Sequence, residues 1–563
     1  MTKKFGLLIG LAFTFSMQAQ ETEKEKITIF GGLESNSQYY LDDDKLGDFI
    51  FEDRFRSNNY LLLNAKYKKF TTGIQVEGYE NQALLNYNPE YKGTNLGTYY
   101  LNYKSNKIDI TLGHFYEQFG SGLLLRNWED RALGINNALM GARIKYQPTD
   151  NVLIKALYGK QRTGFGLTDS NIYGLDADFA LESLFKLENS FLNFGMSYVG
   201  RQEKIEIENP NFEEITHGIA GRLDYSKGSF YASTEYNYKT ADAILDTQGN
   251  LNNDFVKEGN AVTLNTGFTQ KGFGVDMTLR RIENMNFYSE RTPTKYNTIP
   301  ESTSINYNDK ILNYTPGLTK QHHYNLANIY VYQAQAKVDF SDATITKAGE
   351  TGGQIDLFYN IKKDTKLGGK YGTKVALNFA NWYNLAGEYK IFPADYDTKF
   401  FGVSQRYFTD FNLEVTKKIS KSLHTNFAYI NQYYNQRLIE GGGIVTTNII
   451  AAEASYLLDK GRSIRFQGEH MWAEGDRKNW VGGTLEYNFN NKLGVYVWDM
   501  YNYGNSNEVN QIHYYNVGGS YRKGASRIAI NYGRQRGGLV CVGGVCRNVP
   551  QSKGISLSFN TAF

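Results

Sequence analysis

Ile555-Ser556-Leu557-Ser558-Phe559-Asn560-Thr561-Ala562-Phe563 ends the chain, and the fold is read outward from it. Ile555, Leu557, Phe559, Thr561 and Phe563 recur at every second position, so in an extended strand they share one face. The other face carries Ser556, Ser558 and Asn560. A strand of this kind needs an apolar surrounding on one side and water or polar groups on the other.

The same period recurs through most of the chain. Ile108, Ile110 and Leu112 alternate with Asp109, Thr111 and Gly113, and Val375, Leu377 and Phe379 with Lys374, Ala376, Asn378 and Ala380. Phe411, Leu413 and Val415 face away from Asn412, Glu414 and Thr416, as Ile528, Ile530 and Tyr532 do from Arg527, Ala529, Asn531 and Gly533. Among 563 residues there are 44 Tyr, 34 Phe, 56 Gly and only 8 Pro, a balance that excludes helical solenoids and coiled coils. Lys and Arg total 61 against 58 Asp and Glu, so the charge implies no nucleic-acid partner.

Lys3 and Lys4 precede an apolar run from Phe5 to Phe15 and the small, polar stretch Ser16-Met17-Gln18-Ala19-Gln20. This predicts a secretory signal peptide over residues 1–19, since the run is shorter than the roughly 20 residues of a membrane-spanning helix. No later apolar stretch approaches that length, so membrane residence has to use strands. Residues 20–26 form a short periplasmic lead. Cys541 and Cys546 lie in a glycine-rich segment. In an oxidising envelope compartment they are expected to pair, closing a small ring that contributes about 2 kcal/mol.

The connections alternate in length. Tight turns are predicted at Tyr67-Lys68-Lys69, Ser105-Asn106-Lys107, Ser226-Lys227-Gly228 and Lys523-Gly524-Ala525, and long polar loops at Leu41–Phe55, Ser121–Asn136 and Phe287–Thr351. Short turns at one rim and long loops at the other are the pattern of an outer-membrane barrel. The expected fold is therefore all-β: one transmembrane antiparallel up-and-down β-barrel over residues 27–563, of about 24 strands within a range of roughly 22 to 26. Asn328-Ile329-Tyr330-Val331-Tyr332 lies in the longest loop, 287–351, and parity argues that it is loop. Tyr39-Tyr40, Tyr99-Tyr100, Phe400-Phe401, Tyr433-Tyr434 and Tyr514-Tyr515 are expected at strand ends, as interfacial girdles. The terminal strand resembles the C-terminal insertion signal of outer-membrane barrels, with Phe559 and Phe563 as its aromatic positions.

Counted from the periplasm, Ser121–Asn136 is the third surface loop. Its glycines let the chain bend inward, Leu123-Leu124-Leu125 can pack on the wall, and Arg126, Glu129, Asp130 and Arg131 can set a transverse field at a constriction. The competing reading is a loop knitted to its neighbours by ion pairs. Asp42-Asp43-Asp44 and His322-His323 are weaker cation candidates, lacking the spacing of a calcium loop or a third ligand. No metal or cofactor site is expected. No Gly-x-Ser-x-Gly elbow, His-Glu-x-x-His or phosphate loop occurs, so no enzymatic activity is expected.

The Ser16–Gln20 export end, the Phe115–Gly134 block, the Gly538–Pro550 cysteine hairpin and terminal Phe563 together resemble an uncharacterised, porin-like outer-membrane barrel family of Bacteroidota, a domain of unknown function. That resemblance covers nearly the whole mature chain and implies the Gram-negative outer membrane. Expected partners are outer-membrane lipid and lipopolysaccharide, the barrel-insertion machinery during biogenesis, and other outer-membrane proteins. TonB-coupled uptake is disfavoured, because strands begin at Ile27 with no room for a folded plug before them. Two functions remain open: a porin-like passive channel for small solutes with an inward-folded third loop, and a plugged structural or assembly subunit of a larger secretion or barrel-insertion complex.

Overall fold

Wherever the sequence alternates, the chain is extended. In the computed structural model, which describes residues 26–563 apart from 50–52, 85–87, 133, 205–212, 246–250, 300–301, 308, 343 and 543–544, the strands form one closed antiparallel barrel of 24. The signal peptide expected over residues 1–19 lies outside the described residues. The first strand, Thr28–Leu41, pairs with the last, Ser552–Ala562, in register from Gly32 opposite Ala562 to Leu41 opposite Lys553. Phe563 finishes the seam, its backbone exchanging hydrogen bonds with Gly31 at 2.9 and 3.0 Å. Closure leaves no unpaired sheet edge around the wall, which lipid would otherwise penalise.

Each strand sorts its side chains between two environments. In the neighbouring strands Asn171–Ala180 and Ser190–Gln202, Leu175 and Met196 are about half exposed, whereas Asp176 and Ser197, one position along, are buried. Leu112, Tyr158, Ile219, Phe466 and Ile530 continue the exposed apolar belt. The inner face of the same strands carries charge, amides and glycine.

The short turns fall at one end of the barrel. Lys227 pairs directly with Phe230 and Lys523 with Ser526, leaving two-residue turns in which Gly228 and Gly524 take φ of 58°, the left-handed conformation such turns require. The longer connections lie mostly at the other end; residues 181–189 and 362–372 are exceptions at the short-turn end, and the two-residue turn Phe392-Pro393 is an exception opposite. The region expected as the longest loop runs between strands Phe273–Glu283 and Gly349–Ile361, and Asn328–Tyr332 forms no strand in it. Among its described residues are the hairpins Thr294–Ile299 with Ser302–Asn306 and Asp339–Asp342 with Ile345–Lys347, an isolated bridge between Tyr288 and Ile311, and a 3-10 turn, Leu326–Asn328.

Two expectations need correction. Tyr99-Tyr100 and Phe400-Phe401 are not at strand ends: they lie inside Gly93–Lys104 and Ala394–Lys418. The second of these strands has 25 residues and pairs with Thr373–Ile391, of 19 residues, through register shifts at Trp382–Gly387. A membrane crossing needs only about 9–11 residues, so this ribbon projects past the rim. Adjacent rings also cannot both face lipid in a pleated strand. Tyr39 is exposed and Tyr40 buried, and Tyr434 is buried beside half-buried Tyr433. The backbones of Cys541 and Cys546 lie directly opposite one another in the hairpin Gly538–Val542 with Val545–Val549, while their side chains are outside the described residues.

Candidate functional site

The inner wall is a dense charge network. Arg162 meets Glu77 at 2.6 Å with both side chains about 1% exposed, and Arg222 lies 2.9 Å from Asp176 and 2.6 Å from Asp178. Lys155 reaches Asp176 at 2.9 Å, and Lys145 reaches Glu117 at 2.8 Å. Charges removed from water this completely are tolerated only when paired, and losing one partner leaves a costly residue behind.

Two chain segments pack against this face. The connection between strands Ile108–Phe115 and Leu139–Thr149 buries Phe119, Leu124 and Leu125 against Leu157, Ile172 and Val199 of the wall and against Phe287 and Leu312. Wall glycines make the space: a Cβ on Gly174 would sit 2.8 Å from the Phe119 ring, and one on Gly218 2.4 Å from Leu124. Ser121 donates from its backbone and hydroxyl to Glu235, at 2.8 and 2.9 Å.

Of the four residues expected at a constriction, the structure brings Glu129 and Arg131 together. Arg131 lies 3.3 Å from Glu129, 3.1 Å from Glu34 of the first strand and 2.8 Å from the Gln75 amide oxygen, with Tyr60 under its guanidinium. Glu129 also accepts from Gln75 at 2.7 Å. Arg126 turns elsewhere, over the rings of Tyr314 and Trp128 at 4.0 and 5.2 Å. Asp130 is half-buried beside Glu129, in a two-residue bridge to Ile135–Asn136.

The second segment, residues 284–348, meets wall or loop residues around most of the circumference. Lys239 and Arg201 donate to the carbonyls of Asn286 and Tyr288, at 2.7 and 2.9 Å. Arg291 pairs with Asp242 at 2.6 Å and Glu203 at 2.9 Å. Gln161 donates to the Ile311 carbonyl at 2.7 Å, and Asn88 to Asp309 at 3.0 Å. Backbone contact with the first segment comes from Arg126, whose N–H donates to the Leu312 carbonyl at 2.7 Å. Further along, Lys320 meets Glu414 at 2.7 Å and His322 meets Asp410 at 3.2 Å. Glu469 accepts from the backbone N–H groups of Asn325 and Leu326, at 3.1 and 2.8 Å. Arg536 donates to the Asn328 carbonyl at 3.4 Å.

Glu350 is the tightest fastening. Fully buried, it accepts from Arg280 of the adjacent wall strand, from the Gln335 backbone at 2.7 Å and from the Tyr332 hydroxyl. Burial, followed by the nearby Glu350 charge, holds that hydroxyl far above the usual phenol range, so it stays a donor. Tyr332 stacks between Trp382 and Phe408 in an aromatic cluster that also includes Tyr324, Tyr407 and Tyr434. Sequence reading did not single out Glu350, Glu469 or Arg280. Their only signal is a charged residue within an alternating strand, a trait shared by dozens of others.

Of the weaker cation candidates, Asp42, Asp43, His322 and His323 are held by partners. Asp42 pairs with Arg54 at 2.9 Å, and Asp43 with Arg534 at 2.8 Å and Lys553 at 3.4 Å. His322 and His323 diverge, to Asp410 and Glu453. Among the described residues no group of three or more His, Cys, Asp and Glu could hold a metal ion.

Among solved structures, the chain is similar to the P pilus usher PapC translocation pore, at 8% identity over 95% of this chain and 99% of that one, with a TM-score of 0.42. It is similar to a chain of the E. coli P pilus tip assembly intermediate PapC-PapD-PapK-PapG, at 10% identity over 97% and 62% and a TM-score of 0.46. OccK3 (OpdO) of Pseudomonas aeruginosa gives 10% identity over 95% of each chain and a TM-score of 0.35. No curated protein matches the sequence. The closed barrel and its apolar belt point to an outer-membrane protein, and the chain, matched over residues 1–563, belongs to the family of unknown function DUF6029.

Proposed function

We propose that this protein is an outer-membrane channel for small solutes, held shut at rest by residues 284–348 folded into the lumen together with the inward-bent third surface loop. The observation that carries the reading is the reach of the longer segment. Its hydrogen-bonding partners include Gln161, Arg201, Lys239, Asp410, Glu469 and Arg536, drawn from well-separated parts of the barrel. A strap fastened at so many points leaves little free cross-section. It is also held by single side chains and not by a continuous sheet, so it can be released. Arg131 and Glu129 line the first segment against the wall and would face the passage once the strap moves. Single-channel recording of the purified barrel in planar bilayers tests this. Brief openings are expected, with an ion selectivity that shifts when Arg126 and Arg131 are both changed to Ala. A barrel that inserts and stays silent at all voltages would sink the reading.

One feature favours the second reading, a plugged docking subunit. Phe392 is 94% and Phe401 83% exposed on the ribbon beyond the rim, where apolar rings suit a protein partner. A stable companion released by ribbon mutants, together with absent conductance, would decide for it.

A further inference from the structure

A cavity of about 180 Å³ lies between the strap and the wall, lined from the strap by residues that include Lys320, His322, Tyr330 and Tyr332 and from the wall by Phe408, Asp410 and Gln432. His322 lines it and is 5% exposed. Its Nε2 faces Asp410 at 3.2 Å, and the same carboxylate accepts from Gln432 at 3.0 Å and Asn412 at 2.8 Å. The Asp410 carboxylate already accepts from two amides, so Nε2 is the ring nitrogen that donates to it, and in that tautomer Nδ1 presents a lone pair. That Nδ1 is buried and has no hydrogen-bond partner. A buried acceptor left unmet costs about 1–3 kcal/mol, so the cavity is built for something with a hydroxyl or amine donor.

The other groups narrow the class. The cationic side chain of Lys320 is matched by Glu414 at 2.7 Å and by the Asn412 amide oxygen at 3.1 Å, and Asp410 is matched by three donors. With Lys320 paired, the lining offers no free positive charge to hold an anionic guest. What remains is aromatic surface from Tyr330, Tyr332 and Phe408 and one unmet acceptor. The volume equals that of about six waters. We propose that this cavity is a binding site for a small polyhydroxylated solute of monosaccharide size that carries no negative charge, with a ring hydroxyl donating to His322 Nδ1. The proposal deepens the channel reading by naming its solute class, and rests on that reading only for the solute's route.

Equilibrium titration of the full chain in detergent tests the site apart from conduction. The probes are glucose and glucuronate, and the readout is tryptophan fluorescence, since Trp382 stacks on cavity-lining Tyr332 at 5.8 Å. Glucose is expected to give a saturable change and to bind more tightly than glucuronate. His322→Phe should weaken it by about tenfold or more, the loss of one good hydrogen bond, while His322→Gln, which keeps an acceptor, should restore most of the affinity. If His322→Phe fails to fold, Asp410→Asn serves instead: freeing the ring tautomer should also weaken glucose. No saturable binding of any sugar, equal binding by wild type and His322→Phe, or tighter binding of glucuronate than glucose would each overturn the proposal. A barrel that conducts without binding glucose loses only the site, and one that binds glucose and never conducts loses only the channel.

Discussion

Replacing Glu350 with Ala strikes the point where strap and wall are most closely joined. Two of its hydrogen bonds go to the strap, from the Gln335 backbone and the Tyr332 hydroxyl, and a third group, Arg280, belongs to the wall. A hydrogen bond to a charged acceptor is worth about 1.5–3 kcal/mol, so the two strap bonds together contribute about 3 kcal/mol at the low end. With tenfold per 1.4 kcal/mol, the ratio of docked to released strap falls roughly a hundredfold. Arg280, about 1% exposed, is left as an unpaired buried charge, and release of the strap lets water reach it. Both effects push the same way. Open probability in planar bilayers should rise by about two orders of magnitude, with limited trypsin cutting new sites within residues 284–348 while the barrel keeps its folded, heat-modifiable gel mobility. Glu350→Gln, which keeps one acceptor oxygen, should fall between. A correctly folded Glu350→Ala barrel with wild-type open probability and protease resistance would refute the latch.

Other parts of the account are open to separate tests. Gly174→Val would drive a side chain into Phe119 and Leu157, costing about 1–3 kcal/mol of overpacking, and should lower the urea midpoint for release of the third loop; an unchanged midpoint would mean that Phe119 does not pack there in solution. Burial pulls Lys347 from 10.5 down to about 8, against the opposing pull of Asp339, and the lysine is held by Gln335 and the Leu438 carbonyl. Below about 8 the lysine is protonated whether the strap is docked or free. Between there and 10.5 only the free strap holds the proton, so docking strengthens as pH rises through that window. Open probability should therefore fall with rising pH in wild type and lose that slope in Lys347→Met. A surface-reactive tag within residues 505–510 should label intact cells and one within residues 523–525 should not; the reverse pattern would invert the orientation.

Most of the wall was legible because its signals are local. Period-two alternation needs only a few consecutive residues, and the two-residue turns at Gly228 and Gly524 carry their own backbone requirement. The terminal strand could be read as a membrane strand from five residues, and it does close the barrel against Thr28–Leu41. The girdle expectation failed at Tyr99-Tyr100 and Phe400-Phe401 because an aromatic pair reports a favourable environment but not how far a strand continues beyond it. The register shifts around Tyr383–Leu385 that carry the ribbon past the rim leave no mark in the alternation. Least legible were the strap's fastenings. Glu469 and Leu326 stand 143 positions apart and Asn88 and Asp309 221 apart, and one sequence alone cannot pair residues at such distances. Arg131 was recognisable as a candidate from its loop, whereas its partners Glu34 and Gln75 were ordinary polar positions in two strands.

Removing residues 284–348 decides whether they close the lumen. Glu283 and Gly349 are register partners in adjacent strands, so a turn of about four glycine and serine residues can join the wall where the strap now departs. This shortened barrel, folded by gel mobility, should show large, steady, voltage-independent conductance where the full chain opens only briefly. Conductance as low as that of the full chain would contradict closure by the strap.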